Sequence, residues 1–136
     1  MNLHSLTAHA LLDLFNSGKA SAKEAYKACF NRIKAVDPKV KAYISPARNL
    51  PDFVGQFQIP IAIKDNLCTK GEEITCASRI LKGFRPPYDA GVIEKIKTSG
   101  GAILGIVNMD EFAFGSSCET SCYGPCLLYT SPSPRD

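Results

Sequence analysis

The sequence contains no tryptophan, two methionines and two histidines among its 136 residues. Neither His4 nor His9 has a second ligand at metal spacing, so both read as solvated surface residues and no metal is expected. No apolar run approaches the ~20 residues of a membrane-spanning helix. The first residues lack the basic start and apolar block of a secretory signal. Charge of either sign is also scarce in net terms. A balance of +3 is too small to argue for nucleic acid or a membrane surface. Without an export signal, the six cysteines read as reduced thiols. These absences lead to the expectation of a cytoplasmic globular protein with no membrane attachment, long enough for one modest domain.

What is present begins with two helical patterns. Residues 6 to 17 carry Leu6, Ala10, Leu11, Leu14 and Phe15 at helical spacing, with Thr7 as cap and Gly18 as stop. Ser21 and Glu24 form a capping box for a second helix. Ala22, Ala25, Tyr26, Cys29, Ile33 and Val36 mark its apolar face, and Asp37-Pro38 is expected to end it. Lys23, Lys27, Arg32 and Lys34 lie largely off that face. A solvated surface explains them, although RNA or a partner protein could dock there.

The centre of the chain is Ile59-Pro60-Ile61-Ala62-Ile63-Lys64-Asp65-Asn66. Its length and β-branched residues read as a buried strand, with Pro60 tolerable only near the start or on an edge. Lys64 falls where that strand leaves the core, a common position for a site residue. Neighbours on a strand point to opposite faces, so Lys64 need not pair with Asp65. Held partly desolvated, it would serve as a base. From this stretch alone, the plainer reading is that Lys64 returns the chain to water.

Ala42 to Ser45 is a short strand candidate, and 46 to 58 a connection. Residues 65 to 88 read as irregular, with a short helix around Ala77 to Leu81. Asp89 is expected to cap a helix presenting Val92, Ile93 and Ile96, ended by Gly100-Gly101. Ala102 to Val107 is another apolar run. Strand 59–64, helix 90–99 and strand 102–107 make a crossover unit, so the two strands should be parallel. Asp110-Glu111 could be a metal pair or a helix start, and the helix start is preferred because no ligand set is completed. Gly115-Ser116-Ser117 suits an anion site or an ordinary loop. Cys118, Cys122 and Cys126 fall four apart, but Gly124-Pro125 breaks any helix between them, so chance is the better account.

Together, these stretches resemble the amidase signature family. The resemblance rests on Pro60 to Asn66, Thr75-Cys76-Ala77-Ser78, Asp89-Ala90, Asn108 to Gly115, and Glu119, Ser121, Gly124 and Pro125. It covers residues 3 to 125 and is nearest to the tRNA-dependent amidotransferase branch of that family. It implies an α/β fold: an N-terminal helical pair, then the first part of a mixed β-sheet flanked by helices, in an incomplete domain. It also implies amide hydrolysis by a Lys–Ser–Ser triad, with Lys64 as the lysine and both serines in Gly/Ser-rich motifs further along. Phe114, Gly115 and Ser116 match the stretch lining the glutamine pocket. The implied partners are amidotransferase subunits B and C, glutamine and Glu-tRNA(Gln). ATP and magnesium belong to one of those partners, and this chain is expected to bind no cofactor.

The sequence departs from the family at Gln58, at Ile106-Val107 and at Phe114, where glycine, Lys-Thr and methionine are commoner. Residues 126 to 136 resemble translated sequencing-adapter sequence and none of the family. They are expected to be an artefactual, disordered tail on a truncated enzyme that is itself inactive. A stand-alone amidase, or a non-catalytic adaptor docking through the basic helix, are the other readings.

Overall fold

The computed structural model describes residues 2–47, 51, 55 and 58–126. Most of the expected connection between 46 and 58, and the expected tail beyond 126, lie outside the described residues. Helix α1, Ala8–Asn16, starts where predicted: the Thr7 hydroxyl accepts from the Ala10 amide at 3.3 Å. Gly18, with φ +66°, turns the chain after it. Helix α2, Ala22–Val40, opens with the full capping box. The Ser21 amide donates to Glu24 Oε2 at 2.8 Å, and the Glu24 amide donates to Ser21 Oγ at 3.3 Å. The hydrogen bonds from Ser21 hold the Glu24 carboxyl below its ordinary 4.5. A depressed carboxyl stabilises the helix start above its unfolded value, and that contribution is lost as pH falls through the folded one.

Asp37-Pro38 does not end α2. The helix continues to Val40 with Pro38 in its last turn. Proline has no amide to donate back to the Lys34 carbonyl, so the last turn goes without one ladder bond. Lys41 closes it in the left-handed region, φ +57°. The Asp37 carboxylate takes the amides of Ala42 at 2.8 Å and Tyr43 at 3.2 Å, which ties the helix end to the strand that follows. Lys23, Lys27, Arg32 and Lys34 are exposed, as expected. The Lys34 ammonium lies 4.6 Å from the centre of the Phe30 ring.

Strands β1 (Tyr43–Pro46), β2 (Pro60–Lys64) and β3 (Ala102–Val107) form one mixed sheet in the order β1-β3-β2. β1 and β3 are antiparallel, and β2 and β3 are parallel, as the crossover spacing requires. Pro60 is the first residue of an edge strand, so its missing N–H is tolerated. Helix α3, Gly91–Ser99, joins the parallel pair, and Gly100 ends it with φ +89°. Its N-cap is Ala90 and not Asp89. The oxygens of Asp89 are already engaged by the Lys70 amide at 2.7 Å and the Lys97 ammonium at 2.6 Å.

The sheet has helices on both faces. Ile63 and Ile106 pack with Ile74 and with Ile93 of α3, while Ile61 and Ile103 lie against the same cluster. On the other face, Ala102 and Leu104 pack with Tyr26, Cys29, Phe30 and Ile33 of α2. Each fully buried isoleucine contributes about 1.5–3 kcal/mol. Simple alternation would put residues 102, 104 and 106 on one face. An irregularity in the pairing, where Ile61 meets Ile103 but Ala62 meets Gly105, moves Ile106 to the other.

Gly105 makes that shift possible. Its φ is +134°, and an added Cβ would run into the Ser45 carbonyl and come within 2.7 Å of the Pro46 Cα. Gly105→Ala should lower stability by more than ~1 kcal/mol, measured by the urea midpoint of the purified chain. An unchanged midpoint would contradict the described packing of β1 on β3.

Candidate functional site

Lys64 is the last residue of β2, opposite Val107 of β3. The strand then turns, with the Leu67 amide donating to the Lys64 carbonyl at 3.0 Å. The side chain lies at the C-terminal end of the parallel pair, as predicted. Among the described residues Lys64 is exposed, and so is Ala62 two residues earlier. β2 is an edge strand, and nothing described covers this side of it.

Asp65 points the other way and is fully buried, at 0% exposure. Its Oδ1 accepts from the Thr75 amide at 2.9 Å. Its Oδ2 accepts from the Thr75 hydroxyl at 2.6 Å and the Ala77 amide at 2.8 Å. Its own amide donates to the Val107 carbonyl at 3.2 Å, and its carbonyl accepts from the Cys76 amide at 2.9 Å. These bonds hold Cys76 and Ala77 in the left-handed region, with φ +50° and +53°. Non-glycine residues adopt that region rarely and at a cost. The short helix expected near Ala77 to Leu81 is a 3₁₀ turn over Arg79–Leu81.

A second loop rests on the first. The Phe112 amide donates to the Cys76 carbonyl at 2.9 Å, and the Cys122 amide to the Ala77 carbonyl at 3.0 Å. The Ser78 hydroxyl donates to Glu111 Oε1 at 2.6 Å. The Asn108 side chain spans the loop's ends: Oδ1 accepts from the Ser121 hydroxyl at 2.6 Å, and Nδ2 donates to the Gly124 carbonyl at 2.9 Å. Asp110-Glu111 begins a 3₁₀ turn, Glu111–Ala113, but the Asp110 side chain does not cap it. Its carboxylate accepts from the Cys118 amide at 2.9 Å and the Thr120 hydroxyl at 2.9 Å. Burial, the largest influence on Asp110, acts to raise its pKa. The hydrogen bonds from Cys118, Thr120 and Ser117 together outweigh it and hold the carboxyl below its ordinary value.

Phe114, Gly115 and Ser116 are all exposed on this second loop, Phe114 at 83%. Among the described residues, no hydrogen bond or ion pair joins them to Lys64. The two regions meet electrostatically at Cys118. Burial and the Asp110 charge push that thiol up, while the Lys64 charge acts in the opposite direction. A cleft of about 880 Å³ lies elsewhere, between the sheet and segment 69–85. Ile44, Ile106, Thr69, Ser78 and Tyr123 are on its walls, and neither Lys64 nor Phe114 to Ser116 is among its described lining. Among the described residues, no three His, Cys, Asp or Glu side chains cluster to hold a metal. No described helix is long and apolar enough to cross a membrane.

Sequence reasoning identifies Lys64 and its strand but not the anchor beside it. Alternation alone sends Asp65 inward, and a buried carboxylate requires donors. That signal is present in the sequence, but the donors' identity, ten to twelve residues on, is not.

The family profile described as Amidase matches residues 24–127. The chain is 44% identical over 140 residues to the A subunit of glutamyl-tRNA(Gln) amidotransferase from Moorella thermoacetica, covering 92% of this chain and 29% of that protein. The corresponding protein of Desulforudis audaxviator is 41% identical, covering 100% of this chain and 30% of that protein. The crystal structure of its Thermotoga maritima counterpart superposes with a TM-score of 0.81 at 39% identity, over 93% of this chain and 28% of that one. A 6-aminohexanoate cyclic dimer hydrolase superposes with a TM-score of 0.78 at 24% identity, a likeness of fold alone. The chain therefore spans a little under a third of the curated relatives it matches.

Gly115 tests the second loop. Its φ is +151°, and an added Cβ would meet the Asp110 carboxylate, including Oδ2 at 2.7 Å. Gly115→Ala should speed amide exchange at Cys118 by about 10–10²-fold, as expected of ~1–3 kcal/mol of local strain. Unchanged exchange there would contradict the described seating of Gly115 on Asp110.

Proposed function

The chain belongs to the amidase family, and from that premise we propose that it is part of the glutamine-hydrolysing subunit of a tRNA-dependent amidotransferase. In this reading, Lys64 is the lysine of a Lys–Ser–Ser triad. It takes a proton through a bridging serine, so that a second serine can attack the glutamine side-chain amide and release ammonia. Both serines lie outside this stretch. Phe114, Gly115 and Ser116 form part of the glutamine pocket wall. The protein's partners are amidotransferase subunits B and C, its end substrate is Glu-tRNA(Gln), and its setting is cytoplasmic. ATP and magnesium are assigned to the partner that uses the ammonia. Residues 1–125 are assigned to the amidase domain and 126–136 to a tail foreign to it.

The observation that carries this reading is the exposed Lys64 at the C-terminal end of a parallel strand, fixed by a buried neighbour. The 39–46% identity to relatives bearing that name supports the choice within the family. Exposure of Lys64 fits a site whose remaining groups come from other parts of the protein.

The test is glutamine hydrolysis by the complete enzyme carrying this sequence. Lys64→Ala and Lys64→Arg should each lower kcat by at least about 10³-fold, as expected when one member of a catalytic unit is removed. The 136-residue chain alone should show no turnover. Wild-type rates in Lys64→Arg, or turnover by the short chain, would overturn the assignment.

A further inference from the structure

We infer that Thr75 and Tyr123 are positioning residues for Lys64, acting through Asp65 in a hydrogen-bond relay that couples the ends of the two parallel strands. This rests on the reading of Lys64 as the base. The relay has a direction. Thr75 has one hydroxyl proton, and it goes to Asp65 Oδ2 at 2.6 Å. The Tyr123 hydroxyl, 3.1 Å from Thr75 Oγ1, must therefore be the donor in that contact. Burial pushes the Tyr123 phenol above its ordinary 10, so it keeps the proton it donates.

Each end of the relay is fixed by a strand. At one end, Asp65 directly follows Lys64, and its bonds to Thr75, Cys76, Ala77 and Val107 set the backbone from which the lysine departs. At the other, the Tyr123 amide donates to Ser121 Oγ at 3.2 Å, and Ser121 donates to Asn108, the first residue after β3. The Asn108 amide itself donates to the Ala42 carbonyl at 2.7 Å. Forty-eight residues of sequence separate Thr75 from Tyr123, so this contact closes the site rather than a local turn. Chained hydrogen bonds polarise one another, and a lysine displaced by about 1 Å can lose about 10² in rate.

The experiment measures glutamine hydrolysis by the complete enzyme, with Lys64→Ala, Thr75→Val, Thr75→Ser and Tyr123→Phe in parallel. Thr75→Val and Tyr123→Phe should lower kcat by about 10–10²-fold with KM within about twofold. Thr75→Ser, which keeps the hydroxyl, should restore kcat to within about threefold. Tyr123→Phe removes one atom from a partly exposed side chain, so it decides the matter if Thr75→Val fails to fold. A wild-type kcat in Tyr123→Phe, or a raised KM with kcat kept, overturns the inference. If Lys64→Ala also keeps its kcat, the reading of Lys64 as the base fails. If Lys64→Ala is inactive while Tyr123→Phe is wild type, only the relay fails.

Discussion

A buried carboxylate that makes no ion pair among the described residues is the constraint on which this end of the molecule depends. Removing Asp65 from water costs several kcal/mol unless donors replace the lost hydration. The chain meets that demand by folding residues 75–77 back over the end of β2, at the expense of two left-handed residues. Once that loop is formed, its carbonyls at Cys76 and Ala77 become acceptors for the loop that follows β3. The three segments therefore form one unit, and Lys64 is the residue that unit presents outward.

The sheet behind this unit acts as a frame. β3 is central and buried on both faces, so it reads as a continuous apolar run. β2 and β1 flank it, and the outer side of β2 leaves Ala62 and Lys64 in solvent. Lys64 therefore has a rigid origin and, among the described residues, an open approach. An edge strand whose next residue is locked in the core supplies both.

Features settled within a few residues were legible in the sequence. The Thr7 cap, the Ser21–Glu24 box and the Gly100 stop each involve contacts of three or four positions, and all three are present. The parallel pairing of β2 with β3 followed from the spacing of a strand, a helix and a strand. Features that depend on competing partners were not legible. Asp89 has the chemistry of a cap but is held by Lys70 and Lys97. Pro38 has the chemistry of a stop but falls in a final turn that Asp37 and Lys41 complete. The parity change at Gly105 leaves no trace in apolar periodicity, because both faces of β3 are buried. In the candidate site, the place of Lys64 at the end of its strand was legible, while the contact of Thr75 with Tyr123 was not, because 48 residues separate the two.

The central claim is that Asp65 holds the two loops as one unit. Residue-resolved amide exchange, compared between wild type and Asp65→Asn, tests it most directly. Asparagine keeps the shape and one acceptor but sets its NH2 group, donor against donor, on the amide of either Thr75 or Ala77. The account predicts that the amides of Thr75, Ala77, Phe112 and Cys122 lose protection together, while those of Leu11 in α1 and Ala25 in α2 keep theirs. Wild-type protection at Thr75 and Ala77 in the variant would contradict it.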